Sequence, residues 1–436
     1  MHWTDDAAAS IFAVKAEPGE VIMMQAINRL PWIVPMLLAC AAGVARADVV
    51  TDWNVVALNA SAVPPNSIVQ SRTLAIAHAA VYDAVRAVER TGPAYAVDAQ
   101  ARSGASVEAA AAAAAHAALE RLAPAAKPML EAALSATLAK IPDGQAKTDG
   151  MSVGKQVGEQ IVALRVGDGA DAQVPFNPKP GVGAYVPTPP QALPAILAQW
   201  GAVTPFVVRA NSALEWKGPP PPGSAVFARD YDEVKSLGAR QSSTRSADQT
   251  AAAVFWTVQT AVPWHATARA VSAAKGLSVS DNAKLFAMLS MTTADSQIVA
   301  FAEKYRRPHW RPITAIRAGV STDGGNTSLE RDAKWEPLIG TPPHPEYPSA
   351  HAAFSGAAEV VLRAWLGGDE VEVSVTNPPL SGLTRTYRRL SQISEEVENA
   401  RVWGGIHFRS ADRDGTEVGR AIGAIVVRDF PARGAL

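Results

Sequence analysis

The run PSAHAAFSGAAEVVLRAW, residues 348–365, places Pro348 and Ser349 directly before an alanine-rich apolar stretch that reads as the opening of a helix. A helix N-terminus presents N–H groups with no intrahelical acceptor and the positive end of the macrodipole. An anion there is expected to rest on the backbone amides of Ser349 and Ala350. Two further patches flank this one. KYRRPHWRP (304–312) carries Lys304 and Arg311, and ARVWGGIH (400–407) carries Arg401 and His407. With Ser349 and His351 the set reads K-x6-R-P, P-S-A-H and R-x5-H. Each of its side chains donates hydrogen bonds to an oxyanion, two are imidazoles, and the guanidinium forks suit a compact tetrahedral group.

Working outward, helix-period apolar spacing recurs in NAKLFAMLSM (282–291) and SQIVAFAEKY (296–305), which delivers Lys304 at a helix end. An earlier block, about residues 66 to 166, includes VEAAAAAAAHAALERL, strongly helix-forming and slim enough for close helix packing. Between them, 167–224 is rich in proline and glycine. This stretch is expected to wrap the domain as a loop excursion, because it also holds Trp200, Phe206 and Trp216, which favour burial. Few windows alternate at period two. The expected fold is all-α: two helical blocks with one long Pro/Gly-rich excursion, a single domain over 48–436, and the second block, which holds the three patches, at about 228–428.

Composition narrows the function. The chain has 436 residues, 48% hydrophobic and 19% charged, with a net charge of −1. It is long enough to bury a large core, and without a basic stripe nucleic acid is not an expected partner. HExxH and GxxxxGK are absent, which removes the commonest zinc-hydrolase and nucleotide readings. Residues 30–44, LPWIVPMLLACAAGV, follow Arg29 and precede Ala45-Arg46-Ala47, a small-x-small cleavage signature before Asp48. Residues 1–47 are therefore expected to be an N-terminal extension and signal peptide, with translation starting at Met23 or Met24 as an alternative, and the mature protein periplasmic or secreted with no membrane span. Acylation of Cys40, the one cysteine, is the lipoprotein alternative.

The three patches resemble the motifs of vanadium-dependent haloperoxidases of the bacterial chloroperoxidase-like branch, in the superfamily shared with type 2 phosphatidic acid phosphatases and bacterial acid phosphatases. That pattern runs K-x6-R-P, P-S-G-H, S-R-x5-H-x3-D, and the likeness extends weakly over most of residues 50–425. The resemblance implies paired helical bundles, vanadate as cofactor, and hydrogen peroxide and halide as substrates. By the same resemblance His407 is the vanadium ligand. Lys304, Arg311, Arg401, Ser349 and the Ala350 amide hold the oxyanion, and His351 is the acid–base group. Ala350 replaces the usual glycine, which a helical φ tolerates. His344, seven residues before His351, is expected to hydrogen-bond it and favour bromide or iodide over chloride, and Trp310 is a second candidate for halide tuning. His78, His116 and His265 have no motif partners and read as structural, whereas His309 is either a supporting donor or exposed.

One departure separates two activities. The phosphatase pattern places an aspartate four residues after the second histidine, to orient it as a nucleophile. Here that position is Ala411, and Asp412 lies one place later, about 100° further round a helix. The leading expectation is thus a vanadate-dependent peroxidase producing hypohalous acid. The alternatives are an exported acid phosphatase acting on phosphate monoesters through a phosphohistidine, and a non-catalytic oxyanion binder.

Overall fold

A computed structural model describes residues 48–63, 66–209, 214–257, 260–321, 328–377 and 382–431. The chain divides into a unit of residues 1–44 and a compact unit of residues 45–436, and the described residues belong to the second. The signal-peptide reading of 1–47 and Cys40 lies outside them.

The described residues form thirteen α-helices. The first half holds α1 (Val49–Ala60), α2 (Ser67–Glu89), α3 (Val107–Leu122), α4 (Lys127–Leu138) and α5 (Gln145–Ala163). In the second half lie α6 (Ala225–Leu237), α7 (Ala247–Phe255), α8 (Ala261–Lys275), α9 (Val279–Arg306), α10 (Pro312–Ala318), α11 (Ala350–Leu366), α12 (Leu390–Trp403) and α13 (Arg409–Asp429). Side-chain caps fix several starts: Ser106, Ser224, Ser246, Ser278 and Ser349 each accept from a backbone N–H three residues on. The all-α expectation is borne out. Its exceptions are two antiparallel hairpins, β1 (Val320–Ser321) with β2 (Ser328–Leu329), and β3 (Glu370–Asn377) with β4 (Leu383–Arg389).

Both bundles use the same close-approach device. In α5, Gly150, Gly154 and Gly158 recur every fourth residue, and a Cβ on each would collide with the carbonyls of Ser106, Ala110 and Ala114 along α3. In α13, Gly415, Gly419 and Gly423 meet the carbonyls of Ser349, Ala353 and Ala357 along α11 in the same way. In each case the carbonyl under the first glycine belongs to the serine that caps the partner helix. The second stripe thereby sets how close α13 comes to the end of α11 that carries Ser349 and His351.

Helix α9 runs through the centre. It is the one described helix long and apolar enough to cross a membrane, but 89% of its apolar window is buried inside the protein, so it is a core element. The two apolar runs of the sequence are one continuous helix here. The Pro/Gly-rich stretch wraps the domain as expected, and Trp200 and Phe206 are buried while Trp216 is partly so. Asp295 on α9 pins it: its carboxylate accepts from the amides of Phe206 at 2.6 Å and of Val207 and Val208 at 2.8 Å each. Elsewhere the excursion meets the loop between α9 and α10, where Tyr185 N donates to Pro308 O and Trp310 N to Gly183 O. Two of the three histidines read as structural, His78 and His265, lie in the core between α1, α2 and α8, where Asn54 Nδ2 is 3.0 Å from His78 Nε2 and 2.7 Å from His265 Nδ1.

Candidate active site

Four segments converge at one end of the second bundle: the C-terminus of α9, the loop into α10, the turn 344–349 before α11, and the loop 404–408 between α12 and α13. Gly405 makes the last loop possible. Its φ is +78°, and a Cβ there would press on Pro337 and on the Gly238 carbonyl. Two residues later the chain presents His407. Helix α6 fixes the start of α13, with Asp230 Oδ2 accepting from Ser410 N at 3.0 Å and Glu233 pairing with Arg409 at 2.6 Å.

The three motif cations meet there, fully buried. Lys304 Nζ donates to the carbonyls of Pro345 at 2.8 Å and Glu346 at 2.9 Å. Arg311 donates from Nε to His344 O at 2.9 Å, from Nη1 to Ile406 O at 2.8 Å and to His407 Nε2 at 3.2 Å, and from Nη2 to His344 Nδ1 at 3.0 Å. Arg401 Nη1 donates to Trp256 O at 2.8 Å, and its buried Nε has no hydrogen-bond partner among the described residues. Among the described residues none of the three forms an ion pair. Burial first, then Arg311, pushes the Lys304 ammonium well below its usual range, and burial lowers Arg311 and Arg401 to about 10 each. Cations held this way cost folding free energy unless an anion joins them.

His407 Nδ1 lies 2.9 Å from Glu346 Oε1, which also accepts from Phe408 N at 3.0 Å. A guanidinium only donates, so Arg311 on Nε2 makes that nitrogen the acceptor and puts the ring proton on Nδ1. Burial, followed by Arg311, Lys304 and Arg401, holds His407 well below the usual imidazole range and therefore neutral. Glu346, buried with Oε2 unpartnered, is pushed up to about 7 by burial, against the pull of Arg311. This residue was not among those singled out in the sequence. It lies 61 positions from His407, and only the folded turn joins them.

Ser349 is fully buried and caps α11, its Oγ accepting from Ala352 N at 3.5 Å. The expected use of its amide is corrected: Ser349 N donates to Ala411 O at 3.0 Å, which leaves the amides of Ala350 and His351 at the open helix end. Ala350 is the first residue of α11, so its backbone is helical as alanine requires. His351 is the one member of the set that is not fully buried, and no hydrogen bond engages its ring. Its surroundings, burial and then Arg401, Lys304 and Arg311, still push its pKa well down.

One expectation changes and one holds. His344 does not hydrogen-bond His351; its Nδ1 accepts from Arg311, and its ring lies 5.2 Å from that of Phe301. Asp412 does not orient His407, in keeping with its offset. It is fully buried with both carboxylate oxygens unpartnered and its pKa raised well above the usual range by burial, with Ser349 the strongest opposing influence. Glu346 supplies the orienting contact instead, so the missing aspartate does not weigh against a nucleophilic histidine. Trp310 packs in the apolar cluster of Phe227, Tyr231 and Phe408 beneath the site. His309 is buried in the same region, held near a pKa of about 3 by desolvation. Arg306 and Arg307 are solvated, paired with Glu303.

Residues 284–432 match the family model of the VCPO second helical-bundle domain. The chain has the vanadium-haloperoxidase fold. The bacterial vanadium-dependent iodoperoxidase structure aligns over 88% of this chain and 95% of its own, with a TM-score of 0.73 and 24% identity. An apo-type bacterial vanadium-dependent chloroperoxidase aligns over 83% and 93%, with a TM-score of 0.66 and 16% identity. In sequence, vanadium chloroperoxidase of Curvularia inaequalis is 33% identical over 98 residues, which is 20% of this chain and 15% of that relative's length. Within the vanadium-haloperoxidase fold, the matched domain of this chain contains all three cations and both motif histidines.

Proposed function

We propose that the protein is a vanadate-dependent peroxidase that converts hydrogen peroxide and halide into hypohalous acid and water, with uptake of one proton. The observation that carries this reading is the set of three buried cations, Lys304, Arg311 and Arg401, gathered without an ion pair among the described residues, with Arg311 on the Nε2 lone pair of His407 and Lys304 and Arg401 within electrostatic reach of the same ring. Such a site has a charge deficit that a compact oxyanion would fill, with a nitrogen donor beside it. The residues fit vanadate: Arg401 Nε is a buried donor without a protein acceptor, the open amides of α11 add two more, and His407 supplies the one neutral nitrogen ligand. Bound vanadate would supply a Lewis acid that activates peroxide toward halide with no change in its own oxidation state.

Around it the chain's own groups divide the work. Lys304, Arg311 and Arg401 neutralise oxyanion charge, and Ser349 adds a hydroxyl. His351, neutral and partly open to solvent, would take up a proton from solvent and deliver it to the peroxide-derived oxygen, the proton that the overall reaction consumes. Halide oxidation assayed with and without added vanadate tests the reading: activity that needs vanadate supports it, and halide oxidation independent of vanadate overturns it.

A second reading has one observation in its favour. Glu346 orients His407 as a phosphohistidine mechanism requires, so hydrolysis of phosphate monoesters by the vanadate-free protein is the alternative use of the same residues. Export is part of the proposal, resting on the Arg29-to-Ala47 sequence; mass spectrometry of the exported protein tests it, with a start near Asp48 expected and an N-terminus upstream of Leu30 contradicting it.

A further inference from the structure

We propose that Glu346 is the positioning residue of the site, fixing the tautomer of His407 and tying it to Lys304. This rests on the oxyanion-site reading above and assigns its organiser. Three contacts converge on the one residue. Its Oε1 takes the Nδ1 proton of His407 at 2.9 Å, the same oxygen takes the Phe408 amide at 3.0 Å, and its carbonyl takes Lys304 Nζ at 2.9 Å. Glu346 N in turn donates to His309 O at 2.9 Å, so the residue is held from its amide side as well. The neighbouring turn residues complete the frame, with Pro345 O on Lys304 and His344, through its carbonyl and its Nδ1, on Arg311.

The chemical consequence follows from the two ring nitrogens. A neutral imidazole carries one proton and one exposed lone pair, and Nδ1–H bonded to a carboxylate leaves the lone pair on Nε2. That nitrogen is the one beside Arg311, where an oxyanion ligand is needed. In the other tautomer Nε2 would carry the proton, point an N–H at a guanidinium and offer no lone pair. A carboxylate behind a ligating histidine also raises the ring's donor strength. The phosphatase signature places its orienting carboxylate on the helix after the histidine; this chain delivers one from the turn before α11, bound to the same loop through Phe408.

The test reads the tautomer directly. Nitrogen-15 NMR of histidine-labelled protein without vanadate reports which ring nitrogen of His407 is protonated, with His407→Ala assigning the signal. Calorimetric titration with inorganic phosphate and with vanadate gives affinity without any turnover. In the parent the proton is expected on Nδ1. Glu346→Gln keeps an acceptor oxygen, so the tautomer and an affinity within about threefold of the parent are expected to survive. In Glu346→Leu the Nδ1 preference is lost and affinity for both anions falls about ten- to a hundredfold. A parent ring protonated on Nε2 overturns the proposal, as does a folded Leu variant that keeps both tautomer and affinity. Should the Leu variant fail to fold, the parent spectrum decides, because a proton on Nε2 there contradicts the assignment. A parent protonated on Nδ1 that binds phosphate but not vanadate leaves the positioning role standing and removes the peroxidase reading instead.

Discussion

Arg311 Nη2 lies 3.0 Å from His344 Nδ1, which also lies 3.2 Å from Pro345 O, so the imidazole seven residues before His351 is engaged by a guanidinium and its own turn. His344 therefore acts on the site through Arg311. Replacing it with phenylalanine removes one acceptor from a buried cation, a loss of about 1–3 kcal/mol. His344→Phe is expected to weaken vanadate binding about tenfold while leaving the ratio of chloride, bromide and iodide rates unchanged. Steady-state rates for the three halides, with vanadate affinity measured alongside, check this; a variant that gains chloride turnover relative to bromide at unaltered affinity would restore a direct link between His344 and His351.

The glycine stripe of α13 gives a prediction that connects packing to the site. A Cβ at Gly419 meets the Ala353 carbonyl of α11, and one at Gly154 meets the Ala110 carbonyl of α3. Either alanine substitution forces two helices apart and is expected to destabilise by about 1–3 kcal/mol. Only Gly419→Ala displaces the helix that begins at Ser349, so it alone is expected to lower vanadate affinity as well. Thermal melts paired with calorimetry distinguish the two; equal losses of affinity in both variants would sever the packing from the site.

Asp295 supplies the pH dependence. Burial raises its carboxyl from 3.8 to about 6, against three backbone donors that pull it down. The folded state therefore binds a proton that the unfolded state has lost between roughly pH 4 and 6, and the parent's stability falls as pH rises through that window, by on the order of 3 kcal/mol. Asp295→Asn has no such proton. Its stability relative to the parent is expected to improve as pH is raised from 4 to 7, which urea unfolding at the two pH values measures; a difference that stays constant would show that the carboxylate ionises normally.

What was legible in the sequence was whatever is local along the chain. Lys304 at the end of α9 and Ser349 as the cap of α11 are set by helix periodicity and capping and are legible as such, whereas the place of Arg401 in the last turn of α12 carries no such signal. The Pro/Gly excursion was legible too, because its aromatic residues demanded burial. What was not legible depends on tertiary approach. Glu346 gains its role only when the turn before α11 meets the loop before α13, and a lone glutamate between two prolines carries no periodic signal. The β3–β4 hairpin was passed over although EVEVSVTN alternates, since only Val373, Val375 and Asn377 of the strand face inward. Asp412 is misplaced for His407, as its spacing predicts, and the carboxylate that replaces it comes from a turn 61 positions away along the chain.

The account stands most directly on equilibrium titration of vanadate into the parent, His407→Ala and His351→Ala. One imidazole is assigned as the ligand and the other as the proton carrier. The parent is therefore expected to bind, His407→Ala to lose affinity about a hundredfold or more, and His351→Ala to bind nearly as the parent does while losing turnover. A parent that does not bind vanadate, or a His407→Ala variant that binds it as the parent does, would contradict the assignment.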